Sequence, residues 1–275
     1  MTDPQTDPQT DPQIAPQADP QIAPADPADP AAASPAAVAA RRLAEVEDST
    51  RRLLRTVAGI GAQSLAGPSA LPGWTRGHVL AHLARNADSL VNLLDGARTG
   101  TDIPQYPSEE ARDRGIEEGA PRPVQEQLAD LRASGARFAA AAALLPDGAW
   151  AAEVKHRSGA VFPAAEIPWK RLAEVEYHHV DLDSGYTPAQ WPQEFATAEF
   201  RRLAEKLAGP AGAGLPGVEL LAEDTAERAV IGAGTPALTL EGPVRALLAW
   251  LSGRSDGTGL RRAPGTGLPV LPPLG

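Results

Sequence analysis

Four stretches of the chain carry apolar side chains at the spacing of one helix face. In each stretch, apolar residues recur every three or four positions, and charged residues lie mostly between them. On a helix this spacing gathers the apolar side chains into one stripe, which must be buried against another element. Four such helices predict a helical bundle. The stretches are residues 35–60, 75–96 or 75–100, 124–145 and 169–184.

The connections between these helices differ in composition. Residues 101–123 are rich in charge, Gly and Pro, and we expect a long polar linker of the kind that often carries function or acts as a lid. The runs 150–154 and 161–162 flank a Ser-Gly pair and predict a short β-hairpin. The hairpin and the prolines Pro163 and Pro168 lead into the fourth helix.

The pattern changes beyond residue 190. A helix over 193–207 is followed by Gly/Pro-rich spacers, three strand-like runs and a last helix over 243–251, which has Pro at its start. These elements predict a small α+β domain packed on the bundle. The strand-like runs are 218–221, 228–231 and 237–240.

Both ends of the chain lack such patterns. Residues 1–33 repeat Asp-Pro-Gln and Ala-Asp-Pro units with few apolar residues other than Ala, so we expect a disordered tail. The predicted fold is therefore α+β, with an N-terminal four-helix bundle. The predicted segments are the tail over 1–33, the bundle over 34–190, the small α+β domain over 191–260 and an irregular tail over 261–275.

Composition narrows the class of protein. The net charge of −10 argues against nucleic acid or an anionic membrane surface as a partner. The chain has no Cys, which excludes disulfides, thiolate ligands and a cysteine nucleophile. No apolar run is long enough to span a bilayer, and the N-terminus lacks the pattern of a signal peptide. We expect a cytoplasmic protein.

Candidate metal ligands occur on two of the predicted helices. Glu174 and His178 stand four positions apart on the fourth helix, so they point to the same side. A carboxylate and an imidazole so placed can bind one divalent metal ion, although solvated pairs show the same spacing. A third ligand would have to come from elsewhere. The second helix carries His78 and His82, and in an antiparallel bundle His82 could converge with the pair.

Four blocks of residues carry a resemblance to a known family. They are Leu71-Pro-Gly-Trp74-Thr75-Arg76-x-His78-x-x-x-His82, Pro104-x-Tyr106-x-Ser108-x-Glu110-x-Arg112, Arg171-x-x-Glu174-Val-x-x-His178-x-Val-Asp181-Leu182 and Ser252-Gly253-Arg254-x-Asp256-Gly257. Together they resemble the mycothiol-dependent maleylpyruvate isomerases, which belong to the DinB-like metal-dependent bundle proteins. The first and third blocks are typical of the broad family, and the second favours the isomerases themselves.

The resemblance implies a bundle that binds one Zn²⁺ ion through two His and one Glu. The corresponding residues are His82, Glu174 and His178. His179 is the less favoured alternative, because it points about 100° away from its neighbour on the helix. Asp181 is expected to accept the free N–H of His178. The resemblance also places an Arg of the C-terminal domain near the metal, and Arg254 corresponds to it.

The resemblance further implies an activity, the cis-to-trans isomerisation of maleylpyruvate to fumarylpyruvate, as in gentisate breakdown. This reaction needs a nucleophile that adds to the double bond, allows rotation and leaves, and a thiolate does this well. A chain without Cys needs a thiol from outside, and mycothiol is the family's cofactor. A metal ion would deprotonate the bound thiol. Arg254 would bind a substrate carboxylate or stabilise the enolate.

Two other functions stay open at this point. One is a mycothiol-dependent S-transferase that acts on another electrophile with the same metal ligands. The other is a non-catalytic, metal-binding regulatory protein. For the isomerase we expect a small dicarboxylate and mycothiol as partners, and a monomer is compatible with the sequence. Arg85, Asn86 and Tyr106 are candidates for contact with mycothiol by their position alone.

Overall fold

Seven α-helices and five short strands make up the part of the chain that the structure describes. The computed structural model describes residues 33–61, 64–263 and 265–272, so the predicted disordered tail lies outside the described residues except for its last position. The helices are α1 Pro35–Gly59, α2 Arg76–Thr99, α3 Glu109–Gly119, α4 Val124–Ala143, α5 Ile167–Asp181, α6 Gln193–Ala208 and α7 Val244–Leu251. The strands are β1 Glu153–Lys155, β2 Val161–Pro163, β3 Pro216–Ala222, β4 Arg228–Ile231 and β5 Ala233–Gly242.

The four long helices α1, α2, α4 and α5 confirm the predicted bundle. Helix α2 packs along α4, and α1 packs along α5. Helix α1 buries one face, with Leu53 and Val57 on it, and leaves its charged face in solvent. Helix α2 is buried on most sides because α3, α4 and α5 all pack against it. Side chains on α2 are therefore held by neighbours from three directions.

The ends of α2 follow the predicted signals. Thr75 is the N-cap residue, and its side chain accepts a hydrogen bond from the backbone N–H of His78. The helix ends at Gly100, which has a φ of 70° and donates its N–H to the carbonyl of Gly96. Gly100 is thus the stop, rather than Gly96.

The prediction of a polar linker over residues 101–123 was wrong in part, because this segment contains helix α3. Ser108 caps the helix by accepting a hydrogen bond from the N–H of Ala111, and Glu109 and Glu110 lie in the first turn, where the helix dipole favours acidic groups. The mostly charged helix buries Ile116 and Gly119 against α2. Two buried residues are too few to give a recognisable apolar period.

The hairpin and the C-terminal sheet agree with the predicted strands. β1 pairs antiparallel with β2. The second sheet has the order β4-β3-β5, in which β3 pairs antiparallel with β4 and parallel with β5. Gly232 joins β4 to β5 with a φ of +74°, and a Cβ there would lie 2.3 Å from the carbonyl oxygen of Pro216. The turn therefore requires Gly.

One apolar cluster extends from the bundle into the sheet region. It contains Val46 of α1, the fully buried Trp191, Leu220 of β3 and Trp250 of α7. The described chain from Pro35 onwards forms one compact unit. The boundary between a bundle over 34–190 and a domain over 191–260 stays a prediction. In the described part of the chain, no helix combines the length and apolar character needed to cross a membrane.

Candidate metal centre

His82, Glu174 and His178 converge where α2 and α5 pack together. Nε2 of His82 lies 2.8 Å from Oε2 of Glu174, and Nε2 of His178 lies 3.3 Å from the same oxygen. One ligand atom from each residue lies within 4.8 Å of the other two. Among the described residues, this is the cluster of three His or acidic side chains that could hold a metal ion.

The convergence follows from helix geometry and packing. Glu174 and His178 share a face of α5 because they are one turn apart. Helix α2 brings His82 to that face, where its ring meets the His178 ring at 4.6 Å between centroids and an angle of 81°. The indole of Trp74 also lies 5.5 Å from the His82 ring between centroids. His82 is therefore fixed by both neighbours.

A carboxylate contacts Nδ1 of His178, and a guanidinium binds that carboxylate. Nδ1 of His178 lies 2.9 Å from Oδ2 of Asp181, which confirms the expected hydrogen bond. Nη2 of Arg254 donates to the same oxygen at 2.7 Å, and its Nη1 donates to the carbonyl of Ser252. The Arg254 guanidinium also lies over the Tyr177 ring at 4.2 Å. Arg254 is thus two hydrogen bonds away from the cluster.

The ionisable groups affect one another. Burial by itself raises the pKa of the Glu174 carboxyl, but hydrogen bonds from His178 and His82 outweigh it and hold that pKa well below its usual range. Burial lowers the pKa of His82, partly offset by Glu174. Burial also opposes protonation of His178, yet Asp181 and Glu174 raise its pKa overall. An ionised carboxylate therefore stands between two imidazoles.

These three residues fit a divalent metal ion. Two imidazole nitrogens and one carboxylate oxygen are donors that Zn²⁺ takes in catalytic sites, where a further position stays open. Nδ1 of His178 faces the carboxylate of Asp181, so with a metal ion bound the proton of the neutral ring would stay on Nδ1, and Nε2, which faces Glu174 here, would offer its lone pair to the metal. Nδ1 of His82 is buried without a hydrogen-bond partner in the described part of the chain, which leaves that ring held through Nε2.

The other two histidines near these helices lie outside the cluster. Nδ1 of His78 lies 2.7 Å from the Thr75 hydroxyl in the helix cap, and its Nε2 faces Glu117 at 3.3 Å. Nε2 of His179 lies 2.8 Å from the Thr56 hydroxyl. Both contacts turn these imidazoles away from Glu174.

All three residues proposed for contact with mycothiol have partners within the protein. Arg85 donates to Asp130 at 2.6 Å, and Asn86 accepts from Arg171 at 2.8 Å. Tyr106 is partly buried in the segment that precedes α3, where burial raises the pKa of its hydroxyl and a hydrogen bond with Ser89 opposes that rise.

The sequence analysis placed Arg171 in the third block but gave it no role, and the structure buries it, 1% exposed, one turn before Glu174. Its Nη1 donates to the carbonyl of Leu83 and to the side-chain oxygen of Asn86, and so joins α5 to α2. Burial lowers its pKa to about 10. The sequence offered one indication of this role. Arg171 lies between Trp169 and Leu172 on an amphipathic helix, and an Arg near the buried face needs a hydrogen-bonding partner there.

The fold and the cluster together define a helical-bundle protein with a centre of two histidines and one carboxylate. The model of the mycothiol maleylpyruvate isomerase N-terminal domain family matches residues 46–183, half of the chain. The chain belongs to this family. A search of curated proteins finds no match.

Two solved structures are similar to nearly the whole described chain. A crystal structure of the mycothiol-dependent maleylpyruvate isomerase has a TM-score of 0.79 and 28% sequence identity, and covers 86% of this chain and 96% of that one. A mutant of such an isomerase, with one histidine replaced by alanine, has a TM-score of 0.78 at the same identity and coverage. The similarity therefore includes the C-terminal sheet region as well as the bundle.

Proposed function

We propose that this protein is a mycothiol-dependent cis-trans isomerase that converts maleylpyruvate to fumarylpyruvate at a zinc centre. The ligands are His82, Glu174 and His178. The observation that carries the proposal is the convergence of these three side chains on one point in a member of this family. The similarity to a solved isomerase, which extends over 86% of this chain and 96% of that one, supports the same activity.

The chain's own residues prepare the position for a metal-bound thiol. When bound, a divalent metal ion supplies a positive charge that favours the thiolate form of a thiol at neutral pH. Glu174 is ionised and would reduce the net charge of a bound divalent ion, whereas the two imidazoles would hold the ion as neutral ligands. Asp181 holds the His178 ring in the tautomer that presents Nε2. A protein thiol is excluded because the chain has no Cys.

Arg254 is the proposed catalytic residue outside the ligand set. Its guanidinium donates to Asp181 and Ser252, and its Nε is buried without a hydrogen-bond partner within the described residues. A guanidinium has five N–H donors, so donors remain for an anion. We assign Arg254 to the stabilisation of negative charge that moves onto the dioxo part of the substrate during rotation.

The test is the loss of maleylpyruvate on addition of purified protein, with and without mycothiol, before and after chelation and after zinc is returned. Turnover that needs both the thiol and the metal supports the proposal. Bound metal without turnover of maleylpyruvate contradicts the isomerase activity and directs attention to another electrophile or to a regulatory protein.

The ligand assignment is tested separately by metal content. His82→Ala should lose bound zinc, since two protein ligands remain. His78→Ala is the matched control, because His78 lies one turn away on α2 and outside the cluster. The control should retain zinc, with a loss of about 1 kcal/mol in stability from the weakened helix cap. Unchanged zinc content in His82→Ala would refute the assignment.

A further inference from the structure

The three candidate ligands meet in one register, or lengthwise alignment, of α2 against α5. Residue numbers in the contacts between the two helices rise on α2 as they fall on α5, so the helices run antiparallel. In order, the hydrogen-bonded pairs are Arg76 with Leu182, His82 with Glu174, and Leu83 with Arg171. A slide by one helical turn, about 5.4 Å, would separate His82 from Glu174.

Arg76, the first residue of α2, binds the carbonyl groups at the end of α5. Its Nε donates to the carbonyl of Leu182 at 2.7 Å, and its Nη2 donates to the carbonyl of Asp183 at 2.9 Å. The last carbonyls of a helix lack partners within the helix, and a cation there also suits the helix dipole. The carboxylate of Asp183 lies 3.5 Å from Nη2 but is 74% exposed, so this ion pair contributes little.

The segment before α2 fits closely around Arg76. The backbone N–H of Arg76 donates to the carbonyl of Gly67 at 3.1 Å, and a Cβ at Gly67 would lie 2.8 Å from Nη1 of Arg76. In the same segment, the backbone N–H of Ala70 donates to the carbonyl of Asp181 at 2.8 Å. The start of α2 and the end of α5 are therefore joined through several backbone groups.

Arg171 makes the reciprocal contact beyond the other side of the ligands. It lies on α5 three residues before Glu174, and its Nη1 donates to the carbonyl of Leu83 and to the side-chain oxygen of Asn86, both on α2 and both at 2.8 Å. Leu83 directly follows His82 in the chain. Each helix thus sends one arginine to the other, and the candidate ligands lie between the two contacts.

We propose that Arg76 and Arg171 are positioning residues, which hold α2 and α5 in the register that brings the three candidate ligands together before a metal ion binds. The hydrogen bonds of both guanidinium groups described above end on backbone carbonyls and one amide oxygen, so these residues act through the helices that carry the ligands. The proposal rests on the ligand set of the proposed function and is independent of the substrate. Ligands that are already in place bind a metal ion more tightly, because binding does not have to order the helices.

The test compares Arg76→Met with Arg245→Met in the full-length protein. Arg245 of α7 is the matched control, because it is also half-buried and its Nε donates to a backbone carbonyl, that of Trp191, at 2.6 Å. Zinc affinity is measured by competition with a chelator, and stability of the metal-free protein by urea unfolding. Arg76→Met should lower zinc affinity by about tenfold or more, as loss of groups behind metal ligands does. Arg245→Met should keep the zinc affinity of the wild type, whatever its stability.

A second measurement on the metal-free protein does not depend on zinc. The rings of His82 and His178 lie 4.6 Å apart between centroids, close enough for a nuclear Overhauser effect between their protons. The effect should be present in the wild type and in Arg245→Met, and it should weaken in Arg76→Met. Arg171→Met should change both measurements in the same direction, and Arg76→Lys, which keeps one cationic donor, should recover part of the zinc affinity.

Wild-type zinc affinity in a folded Arg76→Met variant would overturn the proposal, even if the variant is less stable. An equal loss of affinity in Arg76→Met and Arg245→Met would also overturn it, because affinity would then follow stability. Circular dichroism shows whether each variant is folded, and Arg76→Lys decides where a Met variant does not fold.

The same measurements separate this proposal from the proposed function. A wild type that binds no zinc, but has a ring contact that is lost in Arg76→Met, would refute the zinc centre and leave the positioning role. Turnover of maleylpyruvate that needs zinc in the wild type, together with unchanged zinc affinity in Arg76→Met, would refute the positioning role and leave the isomerase activity.

Discussion

His178 is held by a hydrogen bond at one ring nitrogen and faces the candidate metal position with the other. Nδ1 is 2.9 Å from Asp181, whose Oδ2 also accepts from Arg254 at 2.7 Å. Asp181 is 2% exposed in its side chain, so its charge is balanced inside the protein. The position of Arg254 admits two roles, contact with the substrate and support of His178 through Asp181, and the two give different results on mutation.

Arg254→Ala should keep zinc and thiol binding but lower kcat about 10²–10³-fold, the usual effect of removing a group that stabilises developing charge. Metal content, thiol binding and steady-state kinetics of the purified variant measure this. Arg261→Ala is the control, because its ion pairs with Glu223 and Glu241 are exposed. Full activity of Arg254→Ala would remove this residue from the site.

Asp181→Asn separates the two roles. A carboxylate that orients a metal-bound His is worth about 10–100-fold in metal affinity, so this variant should lose zinc affinity by that factor. Asp183→Asn, two residues on and 74% exposed in its side chain, should bind zinc as the wild type does. If Arg254→Ala loses zinc to the same extent as Asp181→Asn, Arg254 acts by holding Asp181 rather than by contact with the substrate.

His179 contributes to the pH dependence of stability. Burial, with a smaller effect from Arg52, lowers its pKa to about 3. Below the ordinary pKa of about 6.5, the His179 imidazole binds a proton in the unfolded chain but stays neutral in the folded chain. His179 therefore costs no stability above about pH 6.5, and the free energy of unfolding decreases as the pH falls towards 3, by about 5 kcal/mol in total.

Urea unfolding of the metal-free protein between pH 7 and 4 measures this effect. His179→Gln should show a shallower loss of unfolding free energy than the wild type over that range. The metal-free form is used because protonation of the proposed zinc ligands would otherwise add its own pH dependence. Parallel curves for the two proteins would show that His179 is not the group responsible.

Sequence reasoning reached part of this residue-scale arrangement. Helical spacing placed Glu174 and His178 together, and the choice of His82 over His78 needed the family resemblance. The structure shows the physical reason, since His78 is occupied by the cap at Thr75. The pairing of Asp181 with Arg254 joins positions 73 residues apart, and no local pattern indicates such a contact.

At the scale of elements, α3 is the feature that the sequence did not predict. Its residues are mostly charged, and it is held to α2 by close contact at glycines rather than by a broad apolar stripe. Periodicity detects stripes, so the four long helices were predicted to within a few residues at their ends, whereas α3 was assigned to a linker.

Gly119→Ala tests that contact. A Cβ at this position would lie 2.7 Å from Cβ of Ala81, closer than two carbon atoms can approach, so α3 must move away from α2. We expect a loss of roughly 1–3 kcal/mol in unfolding free energy, as for other overpacked sites. The measurement is urea unfolding followed by circular dichroism.

Gly135→Ala on α4 is the matched control with the opposite expected sign. A Cβ there would meet Thr50 Cγ2 at 3.9 Å, an ordinary contact. Replacing a mid-helix Gly by Ala should then stabilise the protein by about 0.5–1 kcal/mol. Equal effects of the two substitutions would mean that the close packing of α3 on α2 contributes nothing.

At the scale of the whole molecule, the bundle and the sheet region share an apolar core. Leu172 of α5, Trp191 and Leu220 of β3 belong to one buried cluster, and α5 also carries two of the three candidate ligands. Sequence patterns divide a chain at changes of composition, so they indicated two domains. They carry no information on whether two regions unfold together, because that depends on contacts across the boundary.

Zinc binding at one end of the bundle should therefore stabilise the sheet as well. A ligand that binds the folded state at 100 times its Kd adds about 2.7 kcal/mol to the free energy of unfolding. If the core is cooperative, the slowest-exchanging amides of α2 and those of β3 should gain protection by the same factor, on the order of 100-fold. Hydrogen exchange measured by mass spectrometry, with and without zinc, resolves both segments.

His82→Ala should show no gain in either one, which ties the effect to the centre rather than to zinc on the surface. Protection that rises in α2 and stays constant in β3 would mean that residues 34–190 and 191–260 unfold independently. Equal gains would mean that the bundle with its candidate metal ligands and the C-terminal part that supplies Arg254 form one cooperative structure.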